Sequence, residues 1–442
     1  MTDEQQAPDP PVFDAVVVGA GPAGASAALA LARAGRSVVM VERGPFPGAK
    51  NVYGGVVYGR VLDEVIPHWW EQVPVQRWVV RRSTMILTDT QAVTLDVRSQ
   101  AWGAQPYNGM TVFRADFDSW LAQHAIDAGA RLLTSTVATG LLRDGSGRIC
   151  GVRTDRPGGD LRARVVIACD GVNSFLAKEA GLLPRADATH MTLGAKEVLA
   201  LPAGVIEERF GLGPHEGLDI EAVGGTAGVP GGGFLYTNRD SVSVGVVVSL
   251  NGLAASGRRP EDLIASFKAH PGIASYLKGA EVKEYSAHLI PEGGYSTMPE
   301  LATDGLLVAG DAAAMTLAAG IWLEGVNFAI GAGLEAGRAA ATAIGTGDVS
   351  AAGLSGYRRA LEASFVLRDH KRLRLAPDLV LSDRMQQQYT KVLCDIAEDL
   401  FTVTNPQPKP GLVRIMRRVL RRHRVRWRDL ARDGLDTART FR

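Results

Sequence analysis

Apolar residues along this chain follow two rhythms, and the first is the short unbroken run. Asp14-Ala-Val-Val-Val18 leads directly into Gly19-Ala-Gly-Pro-Ala-Gly24, then an Ala/Leu-rich stretch closed by Gly35, then Arg36-Ser-Val-Val-Met-Val-Glu42. Runs of this kind mark strands buried on both faces, so the stretch predicts strand, glycine turn, helix and second parallel strand. Arg162-Ala-Arg-Val-Val-Ile-Ala168 and Gly305-Leu-Leu-Val-Ala-Gly-Asp311 repeat the style, the second preceding an Ala/Gly-rich helix expected over Val326 to Ala343.

The second rhythm is alternation. Val79 to Val97 reads as a half-buried strand pair, and residues 191–294 turn glycine-rich and alternating, as in Ser241-Val-Ser-Val-Gly-Val-Val-Val248. This predicts a separate antiparallel sheet. Between the two, a helix starts at Phe113-Arg-Ala-Asp-Phe-Asp-Ser-Trp-Leu121 and ends at Gly129, followed by a strand over Arg131 to Val137. Helical segments run from Ser355 to Phe401, with a proline-rich break at Asn405 to Pro410. Beyond it Leu412, Ile415, Met416, Val419 and Leu420 recur at helical spacing, with Trp427 and Leu430 near the same face.

A chain of 442 residues divides into two or three domains, and 46 % hydrophobic content suffices for their cores. The net charge of +1 conceals an asymmetry: Arg414 to Arg432 carries nine arginines and the single acid Asp429. The basic segment is therefore a local feature and not the signature of a nucleic-acid-binding protein. Cys150, Cys169 and Cys394 lie far apart, so no disulfide framework, zinc site or iron–sulfur site is legible and no metal is expected. A reducing cytosol is the expected setting. Ala15 to Ala32 is an uncharged run of 18 residues, but the glycine turn inside it argues against a membrane span. Met1 to Pro11, acidic and proline-rich, is expected to be a disordered tail and not a signal peptide.

The glycines of the opening turn have separate tasks in dinucleotide binding. Gly19 permits the turn, Gly21 lets backbone approach a pyrophosphate, and Gly24 lets helix and strand pack closely. The helix N-terminus at Pro22 and Ala23 then receives the phosphates. Glu42, 21 residues beyond Gly21, is placed to accept hydrogen bonds from a ribose diol and would repel a 2′-phosphate. Gly54 and Gly55 allow backbone to lie against a flat ligand, or form a plain turn. Arg114 faces a phosphate or flavin, or is a surface arginine. Asp170, followed by Gly171, ends a strand either over a cofactor or as a helix cap, and Asp311 is placed to bond a polyol chain.

Together, Gly19 to Glu42, Asp170-Gly171 and Gly310-Asp311 resemble the flavoprotein fold of glutathione-reductase type. The branch is that of para-hydroxybenzoate hydroxylase, geranylgeranyl reductase and the electron-transfer-flavoprotein:quinone oxidoreductases. Within it, Gly48-Ala-Lys-Asn-Val-Tyr-Gly-Gly55, Gly231-Gly-Gly-Phe-Leu-Tyr-Thr-Asn238 and Arg368-Asp-His-Lys371 resemble the FixC-type family. The resemblance runs to about Pro410. The longer single-chain enzymes carry a C-terminal iron–sulfur domain that three scattered cysteines cannot supply, as in FixC-type proteins.

The resemblance implies an α/β fold: an FAD-binding Rossmann domain over 12–78, 110–190 and 295–350, an inserted antiparallel-sheet quinone domain over 79–109 and 191–294, and a helical region over 351–442. It implies noncovalent FAD bound by Gly19, Gly21, Pro22, Ala23, Gly24, Glu42, Arg43, Arg114, Val137, Asp170, Gly171, Gly310 and Asp311. Lys50, Tyr53, Gly54 and Gly55 would line the flavin and acceptor pocket. Trp322 to Phe328, including Gly325, Val326 and Asn327, would lie near the pyrimidine edge of the flavin. The implied activity passes electrons from a two-subunit, FixAB-like electron-transfer flavoprotein to a quinone, with a ferredoxin-like FixX iron–sulfur protein as a further partner.

No catalytic acid–base array stands out, and His68, His190, His288 and His370 are expected to be structural or surface residues. Three other readings use the same scaffold: a prenyl-lipid reductase, an aromatic monooxygenase driven by NAD(P)H and oxygen, and a non-catalytic FAD-containing assembly protein. The donor that reduces the flavin separates them. A membrane quinone with no membrane-spanning segment in the chain points to the basic terminal helix as a peripheral anchor on the inner face of the cell membrane. Docking on an acidic partner, or simple solvation, remain alternatives for it.

Overall fold

The computed structural model describes residues 12–49, 54–183, 188–320 and 323–442. The tail over 1–11, Lys50, Tyr53 and Trp322 lie outside the described residues. The first sheet is ordered Ala302–Thr303, Leu306–Val308, Leu161–Ala168, Phe13–Val18, Val38–Val41, Arg131–Leu133. Four of the five pairings in this order are parallel and the short Ala302–Thr303 edge is antiparallel; Ile149–Thr154 pairs antiparallel with Leu161–Ala168, and Ala138–Arg143 with Ile149–Thr154. Helices cover the central strands, which explains why Ala15, Val16 and Val17 show no exposure at all.

Helix Pro22–Arg33 lies on this sheet, and helix Val326–Thr346 lies on that helix. Their contact is backbone to backbone. A Cβ at Gly333 would sit 2.0 Å from the Ala23 carbonyl oxygen, and one at Gly337 would sit 2.4 Å from that of Ala27. The small-residue composition of both helices follows from this approach.

The second sheet is ordered Glu281–Pro291, Met191–Ala200, Ser241–Ser249, Gly231–Thr237, Glu216–Gly224, Arg77–Leu87, Met110–Phe113, Gly54–Val57, with Ala92–Arg98 beside Arg77–Leu87. It departs from expectation twice. Glu216–Gly224 runs parallel to Arg77–Leu87, so the sheet is mixed and not purely antiparallel. Gly54–Val57 and Met110–Phe113 also belong to it, although both segments were expected on the nucleotide side. The reason is local: Phe113 passes straight into helix Arg114–Asp127, so one continuous segment crosses between the layers. One face of this sheet packs on Leu263, Ile264 and Phe267 of helix Pro260–Ala269. Gly233 makes room for the Phe267 ring, which lies 2.3 Å from where its Cβ would be.

At the C-terminus, Ile415, Val419 and Leu420 are buried against Val392, with Tyr389 and Ile396 packed around them. Arg418 pairs with Asp399 at 3.0 Å, and Arg422 and His423 with Asp395 at 2.8 and 2.9 Å. Helices Thr390–Phe401 and Leu412–Arg422 therefore run antiparallel. Ile415, Val419 and Leu420 of the expected apolar stripe are thus covered by the preceding helix, while Leu412 and Trp427 stay exposed. No described helix is long and apolar enough to cross a membrane.

Gly333→Ala tests the helix contact, because two effects oppose each other there. Alanine gains about 1 kcal/mol in helix propensity, whereas overpacking costs about 1–3 kcal/mol. The net expectation is a lower melting temperature. A melt at or above that of the unaltered protein would mean that the backbones do not meet at this point.

Candidate functional site

A cavity of about 390 Å³ extends from the glycine turn to the second sheet. At its first end the backbone is packed to the limit. Gly19 has φ +97°, and a Cβ there would lie 2.3 Å from the Cys169 carbonyl oxygen. A Cβ on Gly24 would lie 1.8 Å from the Gly19 oxygen, so both places admit glycine only. Gly21 caps the helix with Pro22 as its first residue, and Gly21, Pro22 and Ala23 line the cavity. Glu42 is buried there, its Oε2 accepting from Ala20 N at 3.0 Å and its Oε1 from Gly44 N at 2.7 Å. Arg43 and Val137 line the same end at the exposed rim.

Arg114 is held by Asp118 through Nε–Oδ1 at 2.6 Å and Nη2–Oδ2 at 2.9 Å. The pair faces the turn, since a Cβ on Gly21 would be 3.8 Å from Arg114 Nη2. Burial pushes the Asp118 and Asp311 carboxyls up, and the Arg114 charge opposes this at both. Asp170 is also raised by burial; its Oδ2 accepts from Leu176 N at 3.1 Å, which is the helix-cap role, while its buried Oδ1 has no hydrogen-bond partner. Asp170 and Gly171 line the cavity, as does Asp311. Gly310 shapes it from behind, its φ of +69° and the nearby Ala23 Cβ leaving no room for a side chain.

The far end is walled by the second sheet. Phe234 and Tyr236 stack at 4.9 Å, and Lys196, Ser286, His288 and Glu292 line the wall beside them. Burial lowers His288 and pushes Glu292 up to about 7. Tyr58 packs against the same aromatic cluster and lines the cavity, with the Arg82 guanidinium 5.5 Å from its ring centre. Arg82 in turn bonds Asp219 at 3.0 Å and Glu221 at 3.4 Å, two carboxyls raised by burial and lowered by Arg82. Gly325, Val326 and Asn327 close the site with the start of the late helix, and Asn327 Nδ2 donates to Glu324 Oε2 at 2.5 Å.

The structure thus gathers most of the expected residues around one cavity, with exceptions. Gly54 and Gly55 pair with Phe113 and Val112 as a strand, and it is Val56, Val57 and Tyr58 that reach the cavity. His288, expected to be structural or on the surface, is a wall residue, whereas His370 is buried against Phe328 and bonds the Val366 carbonyl at 2.6 Å. Asp118, Lys196 and Glu292 were missed. For Lys196 one signal was available: the adjacent charges Lys196 and Glu197 interrupt the mostly apolar run Met191 to Ala200.

Residues 14–197 match the profile of the FAD dependent oxidoreductase family, and residues 376–442 that of the ETF-QO/FixC family C-terminal domain. Protein FixC of Salmonella typhi is 38 % identical over 427 residues, covering 96 % of this chain and 98 % of its own. Protein FixC of Bradyrhizobium diazoefficiens is 41 % identical over 374 residues, covering 83 % and 85 %. This chain belongs to the FixC family.

A further relative, the probable electron transfer flavoprotein-quinone oxidoreductase YdiS of Escherichia coli K12, is 37 % identical over 96 % of this chain and 98 % of its own. Among solved structures, a geranylgeranyl bacteriochlorophyll reductase-like protein of Thermoplasma acidophilum superposes with a TM-score of 0.73 at 20 % identity, covering 96 % of this chain and 99 % of that one. The flavin-dependent brominase Bmp2 gives 0.66 at 16 %, covering 94 % and 100 %. These two share the fold. As a FixC-family member the protein is an FAD-dependent oxidoreductase of the glutathione-reductase-type fold.

Glu42→Gln keeps the shape of the side chain but replaces one of its two accepting oxygens with a donor. A lost hydrogen bond to a charged group is about 1.5–3 kcal/mol. FAD affinity of the apoprotein, titrated by flavin fluorescence, is therefore expected to fall about ten- to hundredfold. Unchanged affinity would remove Glu42 from the cofactor contacts.

Proposed function

We propose that this FixC-family protein passes electrons from an electron-transfer flavoprotein, through bound FAD, to a membrane quinone. In this reading it works with a FixAB-like donor and a ferredoxin-like FixX iron–sulfur partner. The kinship with FixC proteins and with a probable electron transfer flavoprotein-quinone oxidoreductase, each across nearly the whole chain, supports it. The observation that carries it is the two-ended cavity: a nucleotide turn at one end and an aromatic, titratable wall at the other share one space.

The residues present fit FAD. The turn at Gly19, Gly21 and Gly24 leaves room for no side chain larger than hydrogen at its tightest points, and the unpartnered Asp170 Oδ1 awaits a donor. In this assignment the Ala23 amide, at the N-terminus of the helix that Pro22 begins, faces the pyrophosphate, where the positive end of a helix stabilises an anion. Glu42 takes the ribose, with Arg43 and Val137 at the adenine rim. Arg114 offsets the phosphate charge, Asp170 and Gly171 border the middle, and Asp311, set by Gly310, takes the ribityl hydroxyls. Gly325, Val326 and Asn327 present a helix N-terminus to the far end, where it favours negative charge. Val56, Val57 and Tyr58 belong to the same lining in this proposal. FAD supplies the redox chemistry, and the chain positions it and excludes water.

In the same proposal residues 12–78, 110–190 and 295–350 carry the cofactor and 79–109 with 191–294 the acceptor, the strands Gly54–Val57 and Met110–Phe113 being shared. Membrane contact is assigned to the turn between the two antiparallel C-terminal helices. There Leu400, Phe401, Val403, Leu412 and Val413 are exposed, Phe401 by 84 %, with Arg414 and Arg417 also exposed on the second helix. Each basic residue near an anionic surface adds about 1 kcal/mol.

Stopped-flow reduction tests the donor. Reduced electron-transfer flavoprotein is expected to reduce the bound flavin quickly, NADH slowly, and a quinone to reoxidise it. Reduction by NADH at turnover rates would instead favour the lipid-reductase reading. For the membrane, the variant carrying both Phe401→Ser and Leu412→Ser is expected to sediment less with anionic liposomes than the unaltered protein. Equal sedimentation of the two would remove this turn from the contact.

A further inference from the structure

The wall at the far end carries an ammonium group that the packing leaves almost unpaired. Lys196, midway along the Met191–Ala200 strand, is 5 % exposed and lines the cavity. Among the described residues its ion-pair partner is Glu284, with Oε1 4.0 Å from Nζ, at the limit of such a contact. A buried lysine of this kind is costly unless its charge is used.

The sheet register shows how the side chain is placed. Lys196 lies opposite Gly245 on one side and Ser286 on the other. Because Gly245 has no side chain, the Phe234 ring occupies its place, 2.6 Å from where a Cβ would stand. An ammonium group is thereby set beside a flat aromatic pair, Phe234 and Tyr236, in the space where a planar acceptor would lie.

We propose that Lys196 donates a proton to the carbonyl oxygen of the acceptor. The inference rests on the quinone reading above. Reduction of a quinone to its hydroquinone consumes two electrons and two protons. The two electrons leave the reduced flavin together with the proton that its oxidation releases, which supplies one oxygen; the other proton crosses from Nζ to the near oxygen, breaking N–H and forming O–H. The neutral amine then recovers its proton from water. Burial brings the Lys196 ammonium down to about 8, with Glu284 opposing, which leaves it charged at neutral pH and ready to transfer. Before transfer, its charge stabilises the negative oxygen in a low-dielectric setting. The other groups that can titrate nearby are Glu284 and His288 from the adjoining strand, Glu292 just past its end, and Tyr236 and Glu221 beyond Phe234. Tyr58, packed against the Phe234 and Tyr236 cluster, and Glu324 also line the cavity.

The test uses the FAD-loaded protein, photoreduced, and a short-chain quinone, with flavin reoxidation followed between pH 6 and 10. In the unaltered protein the rate is expected to fall about tenfold per pH unit above about pH 8, as the ammonium is lost. Lys196→Met is expected to be slower by about 100-fold at neutral pH and to lack that limb. Lys196→Arg keeps the charge but holds its protons, so it too should lack the limb. A measurement free of turnover accompanies these: acetylation of Lys196 at pH 8, located by peptide mass spectrometry, should be suppressed by excess short-chain quinone. Lys196 variants with the unaltered rate and pH profile, or undiminished acetylation in the presence of quinone, overturn the inference. An unaltered protein that quinone never reoxidises overturns the quinone reading itself, which makes the two failures distinguishable.

Discussion

Close approach of backbone to backbone around Gly19 is the constraint on which the rest of the structure depends. Three contacts meet there: Gly19 against the Cys169 carbonyl, Gly24 against Gly19, and Gly333 against Ala23. Each is shorter than any Cβ would tolerate. Because of them, the first strand, the first helix and the late helix converge although more than 300 residues separate them in the chain. The cavity is the space left where that convergence stops.

Electrostatics then divides the cavity into two environments. At the nucleotide end Glu42, Asp118 and Asp311 gather near one cation, Arg114. An anionic ligand would be repelled by these acids, but burial biases Asp118 and Asp311 toward their neutral form, while Arg114 and the helix N-terminus supply positive potential. At the other end an aromatic pair, a nearly unpaired lysine and raised carboxyls surround a more apolar space. One end suits phosphates and hydroxyls; the other suits a planar molecule whose charge changes as it reacts.

The C-terminal helices show how one amphipathic pattern can serve a use different from the one it suggests. The stripe of Ile415, Val419 and Leu420 and the arginines beside it match a membrane-surface helix, yet Val392 takes up the stripe and Asp395 and Asp399 take up Arg422 and Arg418. What stays outside is the turn between the helices, where Phe401 and Leu412 have no covering element among the described residues. The preceding helix is tied to the second sheet through Cys394 Sγ and the Ile86 carbonyl, 3.4 Å apart, so the terminal unit is fastened to that sheet.

The sequence by itself determined the nucleotide-binding unit, the alternating second sheet and the amphipathic character of the terminal helix. These are local properties: glycine sterics act over a few residues, and the periods of 2 and 3.6 show directly which positions share a face. Only the tertiary structure decided that Gly54–Val57 and Met110–Phe113 cross into the second sheet, that Glu216–Gly224 runs parallel to Arg77–Leu87, and that Ile415, Val419 and Leu420 of the terminal stripe are covered by protein. It also brought Lys196, His288 and Glu292 to a cavity that begins at Gly19. An apolar face looks the same in sequence whichever surface covers it, and a wall residue is defined by strands that pair across nearly a hundred residues. Those pairings arise from burial and register in three dimensions, which no local pattern records.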